Sequence, residues 1–313
     1  MSIVVGVAPG QENASAVELG VVLARSYSRS LTLVSVSSTA WPPNRDKVDQ
    51  EFQSYIRTVA EASLEEVRPL IPDDIEADYI VHAARSSRRG LLEVCRRVGA
   101  YRLVVGSAAD GRDGRITLGS VTNGLLHSAE LPVVLAPLGF RAEAGARLKR
   151  ITAAYSGSST SAELILGAAF VSQESGVPFR IASFAPRSRV LSAASIGLNA
   201  EAGIVDEWTK VVRRDTDEIL CSIGQLHINP GETEVAIGTG PNWAAALESI
   251  GWEHPEVMML GSSGLGTLKR VSLGSHAMRI LQNSPVPVVV VPRRAKAGYM
   301  SQARGRSDLG AEE

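Results

Sequence analysis

Short runs of consecutive apolar, often β-branched residues alternate along this chain with longer stretches in which apolar residues return every three or four positions. The runs at 2–8, 31–37, 75–83, 102–107 and 132–136 read as strands, and the stretches at 13–29, 47–70, 87–99 and 119–129 as helices. The pattern then begins again. Strands are expected at 150–156, 178–184, 232–238, 256–261 and 287–291, and helices at 159–175, 202–227, 242–251 and 274–283. Strands that are apolar throughout, rather than alternating with polar residues, suit a sheet covered on both sides. Strand-helix alternation makes that sheet parallel, because parallel neighbours need crossover connections. The fold class is α/β with helices on both faces.

The second half repeats the first in detail. Val104-Val105-Gly106 precedes a loop and then Leu118-Gly119-Ser120, and Met259-Leu260-Gly261 precedes a loop of equal length and then Leu273-Gly274-Ser275. Each copy ends in an apolar run, Leu131-Pro132-Val133-Val134-Leu135 and Val286-Pro287-Val288-Val289-Val290. A repeat this long is a duplicated domain rather than a solenoid unit. The chain's 313 residues agree with two domains. The expected division is a first domain at 1–140, a Gly/Ala-bearing linker at 141–149, a second domain at 150–293 and a polar, disordered tail at 294–313. Trp41-Pro42-Pro43 and Ala185-Pro186-Arg187 interrupt the chain after the second strand of each copy, where loops border the ligand crevice of such sheets.

Composition narrows the function. Lys plus Arg number 32 against 33 Asp plus Glu, which leaves no basic footprint for nucleic acid. No apolar run approaches the roughly 20 residues needed to span a bilayer. The chain opens into a strand without a signal-like segment, and Cys95 and Cys221 read as reduced thiols, so a cytoplasmic location is expected.

Candidate chemistry centres on the glycine loops. A strand ending in glycine, then a loop, then Gly-Ser opening a helix, brings backbone N–H groups and a helix dipole to one place suited to phosphate. The second loop also carries Ser262, Ser263, Lys269 and Arg270. It fails the Walker signature at Thr267-Leu268, the dinucleotide fingerprint at Lys269 and the nucleophile elbow at Leu265. Glycines that merely shape a strand-to-helix turn explain the same residues equally well, and the loop alone does not decide.

The spacing of Gly261, Gly264, Gly274 and Ser275 resembles the nucleotide loop of the universal stress protein family, and Pro285 to Val290 resembles that family's last strand. The resemblance covers nearly the whole chain as two family domains in tandem. It implies two Rossmann-like, doubly wound domains, each with a five-stranded parallel sheet. It also implies an ATP site, or a site for another adenine nucleotide, formed by Gly261, Gly264, Gly274 and Ser275. His276, Ser156, Ser262 and Lys269 stand beside these. Gly106, Gly119, Ser120 and Ala8 mark the equivalent first site.

Departures from the family pattern favour the second site. Ala109 replaces the middle glycine of the first loop, and alanine fits that turn only at negative φ. Arg112 and Arg115 supply either phosphate-binding charge or a solvated basic loop. Where nucleotide-binding members place an aspartate after the first strand, this chain has Ala8 and Ser156. His82, His127, His227, His254 and His276 show no metal-ligand spacing, and no nucleophile-base pair stands out, so neither a catalytic residue nor a metal is expected. Trp41, Trp208, Trp243 and Trp252 read as core or interface packing.

The resemblance further implies that Val133–Ala136 and Val288–Val291 pair across the domain interface, with a homodimer through another surface left open. The function expected is a nucleotide-responsive regulatory module in stress response that acts on a protein partner. No nucleic-acid or membrane partner is expected. A nucleotide-independent scaffold is the rival, with a weak ATPase behind it.

Overall fold

A computed structural model describes residues 1–38, 47–186, 198–262, 273–292 and 295. Trp41-Pro42-Pro43, Arg187, Gly264, Lys269 and the 296–313 tail lie outside the described residues. The chain divides into two units, Met1–Arg147 and Leu148–Glu313.

The first unit runs β1 (Ile3–Val7), α1 (Ala14–Tyr27), β2 (Leu31–Ser38), α2 (Lys47–Val67), β3 (Ala77–Ala84), α3 (Ser87–Val98), β4 (Arg102–Gly106), α4 (Ser120–Ser128) and β5 (Val133–Ala136). Its strands lie in the order β3-β2-β1-β4-β5, every pair parallel. Ile3, Val4 and Val5 of β1 and Val134, Leu135 and Ala136 of β5 are fully buried, as a sheet with two covered faces requires. The edge strand β3 is mostly half-buried.

The second unit repeats the design. It runs β6 (Arg150–Ala154), α5 (Ser159–Ser175), β7 (Phe179–Pro186), α6 (Leu198–Gln225), β8 (Thr233–Gly240), α7 (Trp243–Glu248), β9 (Glu256–Gly261), α8 (Ser275–Asn283) and β10 (Val288–Val291). Within it the order is β8-β7-β6-β9-β10, again all parallel. Register fixes the equivalence between the copies. Ile3 pairs with Leu31 and Arg102 as Ile151 pairs with Phe179 and Val257.

In both units the chain leaves the first strand in one direction across the sheet and returns to lay the fourth on its other side. The crevice beyond the C-terminal ends of those two strands is the topological switch point where open α/β sheets bind ligands. It lies between β1 and β4 in one unit, and between β6 and β9 in the other.

Two glycines seat α7. A Cβ on Gly238 would stand 2.2 Å from the Ala246 carbonyl oxygen, and one on Gly240 would stand 2.7 Å from the Ala246 nitrogen. Only glycine lets this short helix, which opens at Trp243, lie so close to β8.

The segment expected to be a linker is held against α1. Ala142 N–H donates to Glu18 Oε2 at 2.8 Å, and the buried Arg25 guanidinium donates to the Ala146 carbonyl at 3.1 Å while gripping Asp74 through two bonds of 2.8 and 2.9 Å. Arg147 in turn donates to the Arg25 carbonyl. Among the described residues no helix is long and apolar enough to cross a membrane.

Candidate functional site

In the first unit the turn after β1 is closed by one side chain. The Ala8 N–H donates to Asn13 Oδ1 at 2.7 Å, and Asn13 Nδ2 donates to the carbonyls of Ala8 at 3.0 Å and Gln11 at 2.7 Å. Asparagine before a helix usually caps it. Here the carboxamide is buried and turned back, and the helix start has no side-chain cap.

The loop after β4 is similarly self-contained. Ala108 N–H donates to the Thr117 carbonyl at 2.9 Å, and Thr117 N–H to Ser107 Oγ at 2.7 Å. Gly114 N–H and the Arg115 carbonyl bond the Leu138 carbonyl and N–H at 2.8 and 3.0 Å. Among described non-glycine residues only Ser28 and His227 have positive φ, so Ala109 sits in ordinary backbone and the turn does not require glycine there.

Between these loops lies a cleft of about 500 Å³, within the range of small-molecule sites. Val34, Val36, Leu91 and Val105 give it an apolar lining, and Ala8, Gly106, Gly119 and Ser120 also border it. The four first-site positions expected from the sequence therefore share one cavity. Helix α4 opens onto it at Gly119, which provides no side-chain cap, so the helix presents first-turn N–H groups there. A Cβ on Gly106 would come no nearer than 3.8 Å to Ala16, and one on Gly119 no nearer than 3.7 Å to Ala108. Gly119 has φ −76°, open to any residue. The protein's own packing does not demand glycine at either place, and the missing side chains leave room in the cleft.

In the second unit Ser161 takes the place of Asn13. The Ser156 N–H meets Ser161 Oγ at 3.3 Å, as Ala8 meets Asn13. Ser158 and Ser161 form a reciprocal cap, with bonds of 3.1 and 3.2 Å that satisfy the start of α5. The hydroxyls of Ser156, Ser158 and Thr160 follow one another at 3.2 and 3.1 Å. Next to Ser156, burial and then the neighbouring Asp215 carboxylate push the Tyr155 phenol above its ordinary range.

Because β6 and β9 are neighbours, Ser156 and Ser262 leave the sheet at the same end. Ser262 is buried and its N–H is bonded to the Val291 carbonyl at 3.1 Å. Gly274 precedes α8 without a side-chain cap, as Gly119 precedes α4, and Ser275 and His276 follow it exposed. The His276 ring meets Trp243 edge-on, with centroids 5.4 Å apart. Trp243 thus contributes to the border of this region. Gly261 closes β9.

Sequence reasoning missed Asn13, Glu12 and Asp110, which also line the first cleft, and Trp243 beside His276. Only Asn13 carried a local signal, as a polar residue before a helix, and that signal suggested a different role.

The strand order, the two switch-point crevices and the glycine-bordered helix starts define a tandem of doubly wound α/β domains. The model of the Universal stress protein family matches residues 1–137 and again 147–292. Universal stress protein Rv2319c of Mycobacterium tuberculosis is 35% identical over 296 residues, spanning 93% of this chain and all of the relative. Universal stress protein Mb2346c of Mycobacterium bovis shows the same identity and coverage. Among solved structures, a universal stress protein from Archaeoglobus fulgidus covers 93% of this chain and 98% of its own, with TM-score 0.52 at 18% identity. A Pseudomonas aeruginosa protein of unknown function, PA1789, covers 100% and 97%, with TM-score 0.51 at 13% identity. The chain belongs to the universal stress protein family, as two family domains in tandem.

Proposed function

We propose that this protein is a cytoplasmic, adenine-nucleotide-binding regulatory module in stress response, with ATP as one candidate ligand. The observation that carries the reading is the first-unit cleft. It has an apolar floor, an uncapped nine-residue helix opening onto it, and two glycines whose side-chain space is left empty. An apolar wall suits a nucleobase, and a helix start suits a phosphate. In the second unit the hydroxyls after β6 and the uncapped start of α8 support a second site. Ligand in either crevice would bear on loops at the sheet's end and so change the surface offered to a protein partner.

One observation favours the scaffold reading instead. Ala8 supplies no side-chain acceptor, and the Asn13 carboxamide is spent on the loop itself. Nucleotide released on heat denaturation of protein purified without added ligand, quantified by chromatography and mass spectrometry, separates the two readings. One or two adenine nucleotides per chain support the nucleotide module. None, followed by no heat in titrations with adenosine, AMP and ATP, moves the protein to the scaffold reading.

A further inference from the structure

We infer that a basic groove between α3 and α4 of the first unit docks an acidic, extended segment of a protein partner. This inference stands apart from the nucleotide reading, because the groove shares no lining residue with the cleft described above. It encloses about 330 Å³ between Arg88, Arg89, Leu92, Glu93 and Arg96 of α3 and Ser128 of α4. Its carboxylate is already engaged: Arg89 donates to Glu93 Oε1 at 2.7 Å, and His82 Nε2 lies 3.0 Å from Glu93 Oε2. Arg88 and Arg96 are exposed, and neither has an ion-pair partner among the described residues.

Arg88 is placed against the preferences of both helices. It falls in the first turn of α3, which holds no acidic residue, and a cation there opposes the helix dipole. Its side chain also lies across α4 at Gly124, where a Cβ would stand 2.8 Å from Arg88 Cδ. Glycine weakens a helix interior, so α4 is less stable than it could be at the place where Arg88 is seated. The second unit shares the helix pair but not these residues. Asn242 caps α7 as Ser86 caps α3, which sets Ala244 and Ala245 at the places of Arg88 and Arg89. Counted from the serines that open α4 and α8, Arg279 takes the place of Gly124. The fold itself therefore does not require the arginines or the glycine that seats one of them.

Spacing defines the partner. Arg88, Leu92 and Arg96 stand at i, i+4 and i+8 on one face of α3, with the outer two about 12 Å apart along the helix. In an extended chain residues i, i+2 and i+4 share a side, and the outer two lie about 13 Å apart. Carboxylates at i and i+4 thus match the two arginines, each of which can grip a carboxylate with two N–H groups. The residue between them, at i+2, faces Leu92 and is best apolar.

The test uses the full-length protein and a rhodamine-labelled, end-blocked peptide containing Asp-Thr-Val-Thr-Asp, with binding read by fluorescence anisotropy at low salt. Arg88→Glu with Arg96→Glu should weaken binding at least about tenfold, and raised salt should weaken it in the parent. Arg57→Glu with Lys210→Glu makes the same charge change at exposed places on α2 and α6, and should alter affinity by less than about twofold. An unlabelled peptide of the same composition with adjacent aspartates should compete about tenfold less well than the spaced one. Thermal midpoints check that each variant folds.

No binding of the peptide overturns the inference, as does an equal loss in the groove and remote variants. Better competition by a single-stranded oligouridylate or by anionic lipid vesicles overturns it too, in favour of nucleic acid or a membrane surface. None of these outcomes touches the nucleotide reading.

Discussion

Arg180 and Glu256, both fully buried in the second unit, face each other with Nη2 2.7 Å from Oε1. Arg180 also donates through Nε to Thr152 at 3.0 Å and through Nη1 to the carbonyls of Ile250 and Gly251 at 3.0 and 2.8 Å. Its guanidinium lies 4.7 Å from the centre of the Trp252 ring. Arg150 and the Glu253 N–H, each at 2.9 Å, satisfy the other Glu256 oxygen. Burial pulls the Arg180 pKa below its ordinary value, and Glu256 opposes that pull.

Removing the charge of Glu256 alone should therefore strand a buried cation. Glu256→Gln is expected to destabilise the second unit by about 3–5 kcal/mol, the usual result of breaking a buried pair from one side. Replacing both partners, as Arg180→Met with Glu256→Met, should recover much of that loss. Urea unfolding followed by tryptophan fluorescence measures both. A single variant as stable as the parent would show that the pair is not an interdependent unit.

The fold was legible because it rests on local pattern. Apolar runs such as Val133–Ala136 and Val288–Val291 became buried strands, and the duplication set the number of units. Helix α6 begins at Leu198 rather than near 202, a boundary that periodicity defines only loosely. Site details depended on information that residue identity does not hold. The φ of Ala109 decides whether alanine fits its turn, and nothing in the sequence gives that sign. The Asn13 carboxamide chose the preceding turn over the following helix, two partners equally near in sequence. Trp243 and His276 meet because the fold packs α7 beside α8, not because of their spacing. Glu12 and Asp110 lie in loops, where no periodicity says which way a side chain faces.

A pair of equivalent serines offers an internal comparison. Ser183 Oγ donates to the Tyr155 carbonyl at 3.1 Å. Ser35, at the matching place on β2, is fully buried and its hydroxyl has no hydrogen-bond partner among the described residues. Ser183→Ala should cost about 1 kcal/mol, whereas Ser35→Ala should be neutral or stabilising by up to about 1 kcal/mol, because it removes an unsatisfied hydroxyl. A lowered thermal midpoint for Ser183→Ala and an unchanged or raised one for Ser35→Ala are the expected outcome. A clear loss at Ser35 would mean that its hydroxyl is satisfied in solution.

The two cysteines should differ sharply in reactivity. Cys95 is buried on α3, and burial pushes its thiol up to about 12, while Cys221 is exposed. A disulfide exchange reagent at pH 8 should therefore titrate one thiol quickly in the folded protein and both in denaturant. The raised value has a consequence for stability. The folded state holds the Cys95 proton where the unfolded chain releases it, so its contribution is complete below about 9 and declines as pH rises towards about 12. Two fast thiols in the native protein would contradict the burial of Cys95.

The glycines of the first unit divide into two kinds, and the same type of change should expose the difference. A Cβ on Gly20, inside α1, would stand 2.6 Å from Val5 Cγ2. Gly20→Ala should thus overpack the core and cost about 1–3 kcal/mol. At Gly119 the backbone is extended and the nearest atom is 3.7 Å away, so Gly119→Val should fold with a loss of about 1 kcal/mol or less, the scale of a changed N-cap. Its side chain would nevertheless occupy space at the border of the cleft, beside the first-turn N–H groups of α4. Labelling of the first unit by an azido-adenosine probe should fall at least about tenfold, equivalent to a loss of 1.4 kcal/mol in affinity, while labelling of the second unit is unchanged. A Gly119→Val protein that folds normally and keeps its first-unit label would show that the start of α4 does not face the ligand.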